Sequence, residues 1–279
     1  MVLLHGVTDT PRTWDLVRDA LAAQHELLEP TLLGHSGGPA YTDDPSPAAI
    51  ADQVERDMDA AGLDKAHLVG NSLGGGIALM LAARGRATTV VGLAPAGGQP
   101  TDDQHRHHVL SFFRMAQNLV KEAAPRAEEI ASTPAGRQRA LAFMVEHHEH
   151  VPADLVAHQI RSAAECPIVL PMIEHTIEHG YDEFASIDVP VRIVWGREDK
   201  VLPYPSAAAR FRELIPDADW VVLDDIGHLP QLDDPARTAE LILEFTRPDP
   251  ALAHAEDAQP PGALRHAEVD DVVDLRPDQ

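Results

Sequence analysis

The sequence predicts an α/β protein: a mostly parallel, twisted sheet covered by helices on both faces. Three observations predict it. Short, largely apolar runs at 2–4, 66–69, 88–93 and 191–195 read as strands buried on both sides. They alternate with stretches at helical spacing, the pattern that sets successive strands parallel through helical crossovers. Gly70-Asn71-Ser72-Leu73-Gly74 lies between one such run and an all-apolar helix over 77–83, the strand–turn–helix context of a nucleophile elbow.

Taken in order, the chain opens on the strand at 2–4, then His5-Gly6 and a polar turn. Trp14, Val17 and Leu21 share one face of a helix, with Thr13 as its cap and Pro11 near its start. Residues 25–29 read as a second strand and 33–39 as a Gly-rich loop. Ile50, Val54 and Met58 recur at i, i+4, i+8 in a helix over 47–61 that Gly62 stops. After the elbow and the strand at 88–93 the alternation breaks. Between 99 and 185 only helical patterns appear. One face carries Val109, Phe112, Phe113, Ala116 and Val120, another Leu141, Met144 and Val145, a third Leu155, Val156 and Ile160. A fourth stretch, 168–179, is interrupted by Pro171. Alternation resumes with strands at 191–195 and 220–223 and helices at 207–214 and 235–245. A helical block inserted between two parallel strands reads as a lid over their C-terminal ends. The remainder, 247–279, is rich in Pro and Ala and carries eight acids against three arginines, so it reads as a disordered acidic tail.

With 279 residues, 44% of them hydrophobic, the chain is long enough for one large domain with an insertion. A formal net charge of −23 argues against nucleic acid and anionic membrane surfaces as partners. The single cysteine, Cys166, excludes an intramolecular disulfide and reads as a structural thiol. No apolar run spans a bilayer and none at the start has signal-peptide length, so the cytoplasm is the default compartment.

A serine hydroxyl is a weak nucleophile; it needs a base, and the base an orienting acid. Ser72 is held at the start of a helix, where free N–H groups favour developing negative charge. Asp199 and His228 each lie just beyond the end of a later strand, and the order Ser, Asp, His is the one this architecture uses. Glu198 is a rival acid, and Asp224 and Asp225 lie close to the histidine. Two backbone N–H groups should form an oxyanion hole: Leu73, after the nucleophile, and Val7, in the loop after the first strand. Nine histidines fall in the lid, among them His175 and His179 at i, i+4; they read as solvated lid residues, and neither metal nor cofactor is expected.

HG at 5–6, GHSGGP at 34–39, GNSLGG at 70–75, GREDKVLP at 196–203 and GHLPQLDDP at 227–235 together resemble the α/β-hydrolase superfamily, in its serine-nucleophile, lid-bearing branch. The resemblance implies a core over 1–98 and 186–246 and a lid over 99–185, inserted after the sixth family strand. It implies Ser72 as nucleophile, His228 as base, Asp199 as orienter, and Val7 and Leu73 as oxyanion donors. The family's first two strands are absent ahead of His5-Gly6, which leaves the sheet edge at 25–29 open. The implied activity is hydrolysis of a carboxylic ester or related small acyl substrate. Its apolar pocket is expected to involve His5, Phe112, Phe113, Met144 and Leu229, although His5 also serves to shape its loop. A serine at the elbow argues against haloalkane dehalogenases and epoxide hydrolases. Hydrolases of carbon–carbon bonds in ring-cleavage products share GNSLGG and WGREDKVLP. The loop HGVTDTPRTW lacks their Gly-rich HGGGPG-type segment, and Leu229 stands where they carry a tryptophan. A catalytically silent ligand receptor on the same fold is the reading from outside enzymology.

Overall fold

The apolar runs form one five-stranded sheet in which every pairing is parallel. The structure of the chain is a computed structural model. It describes residues 1–98, 103–181, 184 and 187–247, with the backbone alone for 103–108. The strands are β1 (Val2–Leu4), β2 (Ala66–Asn71), β3 (Ala87–Leu93), β4 (Val191–Gly196) and β5 (Asp219–Leu223), and they lie side by side in sequence order. Leu3 pairs with Val69, Val69 with Val91, and Ile193 with Trp220.

Successive side chains of a strand point to opposite faces, and in β1–β4 both directions are buried, whereas the edge strand β5 is half-buried. Val2, Leu4, Leu68, Val90, Ile193 and Trp195 enter one core. Leu3, Val69, Val91, Leu93 and Val194 enter another on the opposite face. That is why the strands read as largely apolar runs rather than as strict alternation. The first core is closed by α2 (Pro47–Ala60), with Ile50, Val54 and Met58, and by α3 (Leu73–Ala83), which is buried from Leu73 through Ala82. The second is closed by Trp14, Val17, Leu21 of α1 (Arg18–Ala22), and the last helix, which brings Ala239, Leu241 and Ile242. Ser46 caps α2, its side chain accepting from the Ala49 N–H at 3.1 Å, and Gly62 at φ 73° ends it.

Between β3 and β4 the described residues form helices only: α4 (Asp103–Ala123), α5 (Ala127–Ala131), α6 (Pro134–Leu141), α7 (Ala153–Ala164) and α8 (Val169–His179). A third core forms here from Ala131, Leu141, Val145, Leu155, Val156 and Ile160, and it takes in Leu229 and Leu232. Beyond β4 come α9 (Ala209–Leu214), α10 (Pro230–Asp233) and α11 (Pro235–Thr246). No helix among the described residues is long and apolar enough to cross a membrane. Met1–Thr246 forms one compact unit. The acidic tail from residue 248 lies outside the described residues.

Four local expectations are corrected. Residues 25–29 form no strand; they contribute one parallel bridge, Val2 to Leu28. Only Leu27 and Leu28 are apolar there, one packing toward each core, so charged neighbours confine the pairing to Leu28. The segment around Trp14 is not one helix: a 3-10 turn, Pro11–Trp14, precedes α1, and its cap is Thr10, which accepts from the Arg12 N–H, not Thr13. Met144 and Val145 do not extend the face of α6, because that helix ends at Leu141 and both N–H groups turn back to the Leu141 carbonyl. Pro171 does not interrupt α8: it sits in the first turn, where its missing N–H has no intrahelical partner to lose.

Candidate active site

Ser72 is the one residue between β2 and α3, and it is held at φ 53°, ψ −116°. A non-glycine residue there costs of order 1–3 kcal/mol, which the surroundings must impose. They do so from both sides. The Ser72 N–H donates to the Leu93 carbonyl at 2.9 Å, and the Ser72 carbonyl accepts from Ala96 at 2.8 Å and Gly76 at 3.0 Å. The flanking glycines have no room for a side chain. A Cβ on Gly70 would lie 2.1 Å from the Gly74 carbonyl oxygen, and one on Gly74 would lie 2.1 Å from that of Leu4. The spacing G-x-S-x-G is thus a statement about backbone-to-backbone contact.

Leu73 opens α3, so its N–H has no intrahelical acceptor. The Val7 N–H likewise has no backbone acceptor among the described residues. Ser72, Leu73 and Val7 all border one cavity of about 210 Å³.

Asp199 follows β4 and is fixed before it meets the histidine. Its Oδ1 accepts from the N–H groups of Val201 at 2.9 Å and Leu202 at 2.7 Å. Its Oδ2 accepts from Nδ1 of His228 at 2.7 Å, with 0% of the aspartate and 5% of the histidine side chain exposed. The rivals are elsewhere: Glu198, Asp224 and Asp225 are exposed, and Asp224 pairs with Arg197. Because Nδ1 carries the proton donated to Asp199, Nε2 is the nitrogen left to act as a base.

Asn71, next to Ser72, ties the elbow to the histidine loop. Its Nδ2 donates to the carbonyls of Leu93 at 3.1 Å and His228 at 3.0 Å. Sequence reasoning missed it; the available signal was a polar residue at the end of a buried strand, beside the serine.

The cavity corrects the expected pocket. Phe112 and Phe113 line it. His5, Met144 and Leu229 are not among its lining residues. His5 is fully buried with both nitrogens committed: Nδ1 donates to the Gly6 carbonyl at 2.8 Å and Nε2 accepts from the Leu32 N–H at 3.0 Å. Burial, then the neighbouring His35, holds its pKa well below the usual range, so it remains neutral and shapes the loop that carries Val7. Leu229 and Met144 join the third core, where the Leu229 N–H donates to the Met144 carbonyl at 3.0 Å. Val109, Met172, Ile173, Tyr181, Leu202 and Pro203 line the cavity unannounced. Val109 was visible in principle, since it shares the face of Phe112 and Phe113. Burial pushes the Tyr181 phenol above its usual range.

Elsewhere, Cys166 is buried and its thiol is pushed up to about 12 by desolvation. The His175 and His179 rings stack at 4.4 Å. Among the described residues no group of three metal-ligating side chains occurs. Nothing is described of the side chains of His105, His107 and His108.

The sequence profile of the alpha/beta hydrolase family matches residues 1–241. Epoxide hydrolase EphH of Mycobacterium tuberculosis is 32% identical over 202 residues, 72% of this chain and 94% of the relative. Among solved structures, a putative lipase from Acinetobacter baumannii superposes with a TM-score of 0.69 at 21% identity, covering 92% of this chain and 84% of that one. A meta-cleavage product hydrolase from Pseudomonas fluorescens superposes with a TM-score of 0.62 at 25% identity, covering 88% and 89%. With five parallel strands, a strained serine at the elbow and a histidine–aspartate pair beyond the later strands, this chain belongs to the alpha/beta hydrolase family.

Proposed function

We propose that this hydrolase cleaves a carboxylic ester or a related small acyl substrate through an acyl-enzyme on Ser72. The observation that carries the reading is the buried His228–Asp199 pair at 2.7 Å, its histidine tied to the elbow by Asn71, the residue beside a serine that borders an apolar cavity. His228 Nε2 takes the Ser72 proton as Oγ adds to the acyl carbon. The oxyanion is received by the Val7 and Leu73 N–H groups. His228 returns the proton to the leaving alcohol, then takes one from water, which adds to the acyl-enzyme and frees the acid and Ser72. Asp199 keeps the ring in the required tautomer and stabilises the imidazolium. The helices of 99–185 act as a lid, in which Phe112 and Phe113 pack against the acyl chain.

The name of the mycobacterial relative raises epoxide opening. Attack of Ser72 Oγ on an epoxide carbon would leave an ether, which has no carbonyl for water to add to, so the serine itself favours acyl chemistry. Carbon–carbon hydrolysis is a second reading, favoured by the likeness to the Pseudomonas meta-cleavage product hydrolase, since the same nucleophile, base and oxyanion donors would serve it.

The test is labelling with a fluorophosphonate in wild type, Ser72→Ala and His228→Ala, followed by turnover of p-nitrophenyl esters of rising chain length, styrene oxide and a ring-cleavage dienone. Labelling that needs both residues, with ester turnover peaking at one acyl length, is the expected result. Turnover of the dienone alone would select the second reading. Wild-type turnover of styrene oxide without labelling would overturn both.

A further inference from the structure

Gly227 and Leu229 flank the proposed base, His228, and each of the three is held through its backbone by a different part of the chain. The Gly227 N–H donates to Oδ2 of Asp233 at 2.7 Å. The His228 carbonyl accepts from Asn71 at 3.0 Å. The Leu229 N–H donates to the Met144 carbonyl at 3.0 Å. Asp233, on α10, is only 3% exposed. Its second oxygen, Oδ1, accepts from the N–H groups of Glu146 and His147, both at 2.7 Å. One buried carboxylate therefore grips the loop of the base with one oxygen and the segment between α6 and α7 with the other. There is little slack: a Cβ on Gly227 would fall 2.7 Å from the Met144 carbonyl oxygen and 3.1 Å from Asp233 Oδ2.

We propose that Asp233 is a positioning residue of the hydrolase, setting His228 in register with Ser72 only while the 144–147 segment is docked. The inference rests on the serine-hydrolase reading. A carboxylate that merely fastened the helical block would, once removed, lower stability and leave the turnover of the folded protein unchanged. One that positions the base lowers kcat in protein that is still folded, because a small misplacement of a proton acceptor costs rate rather than binding.

Asp233→Asn keeps the volume but offers an oxygen to one side of the clamp only. In the full chain, folded Asp233→Asn is expected to lose about 10- to 100-fold in kcat on a short p-nitrophenyl ester with KM unchanged. The downfield proton resonance of the His228 Nδ1–H shared with Asp199 should shift or broaden. Wild-type kcat and an unmoved resonance in the folded variant would overturn the proposal. Should the variant fail to fold, hydrogen exchange on the wild type decides: the amides of Gly227, Glu146 and His147 should exchange together, and independent exchange overturns it. A failure of the serine-hydrolase reading would show instead as fluorophosphonate labelling of wild type and Ser72→Ala alike, or of neither.

Discussion

The elbow and the inserted helical block both border the cavity, yet they are built on different terms. At the elbow, position is set by backbone against backbone: Gly70 against Gly74, Gly74 against Leu4, and Ser72 hydrogen-bonded to Leu93 and Ala96. In the block, position is set by apolar side chains on several short helices, and many combinations would fill the same space. Chemistry is therefore fixed by geometry with no tolerance, while the shape of the pocket is held by packing that can be exchanged.

The contrast can be broken or sharpened by substitution. The largest effect should come from Ser72→Ala, which is expected to lower kcat by about 10⁴-fold or more; His228→Ala should cost as much, and the double variant hardly more, because the two act as a unit. Asp199→Asn should follow at about 10³- to 10⁴-fold through the wrong ring tautomer. Steady-state ester kinetics check all four. Gly70→Ala should cost about 3 kcal/mol or more, or prevent folding, since the backbone it meets cannot move aside; urea unfolding measures it. A comparable tolerance for Ala at Gly70 and for substitutions at Val109 would erase the distinction between the two regions.

Asp9 lies where they meet, on the loop of Val7. Desolvation raises its carboxyl to about 6, opposed by bonds from the Thr10 amide and the side chains of Thr13 and Gln159 on α7. The folded protein thus holds this proton to higher pH than the unfolded chain, whose value is 3.8. Its contribution to stability falls as pH rises from about 4 to 6, and above that window the buried carboxylate is a cost. Asp9→Asn is expected to be more stable than wild type at pH 7 by at most about 3 kcal/mol, with the difference vanishing below about pH 4. Denaturant unfolding of both proteins across this range checks the sign. The smallest effect belongs to the pocket. Phe113→Ala should move the preferred acyl length upward by one or two carbons and change relative kcat/KM about 10-fold, leaving short-ester kcat within about 3-fold.

The same contrast explains what could be read from the chain. Gly70, Ser72 and Gly74 were legible because close backbone approach admits one residue type at each spacing. The buried strands were legible because both faces need apolar side chains. Residues 25–29 misled, since Leu27 and Leu28 look like part of a strand when only Leu28 pairs. Met144 is expected in the pocket from the apolar face it gives the lid, and Leu229 from its place next to the histidine, whereas the third core takes both. The bonds of Asn71 and Asp233 escape a reading of the sequence for a different reason. Their partners lie far along the chain, 157 residues away for Asn71 to His228 and 87 for Asp233 to Glu146. No local pattern announces a bond across such a separation.

Ser72 has a history written in its torsion angles. Folding alone has no use for a side chain at φ 53°, ψ −116°; glycine would sit there without strain, and Ser72→Gly should be at least as stable as wild type. A strained residue persists where its surroundings over-determine it, and the bonds to Leu93, Ala96 and Gly76 do so here. A lineage that had kept the fold only to carry a ligand would have been free to relax at this position. On the serine-hydrolase reading the strain at Ser72 is a cost carried for the reaction, one that a silent receptor would not need.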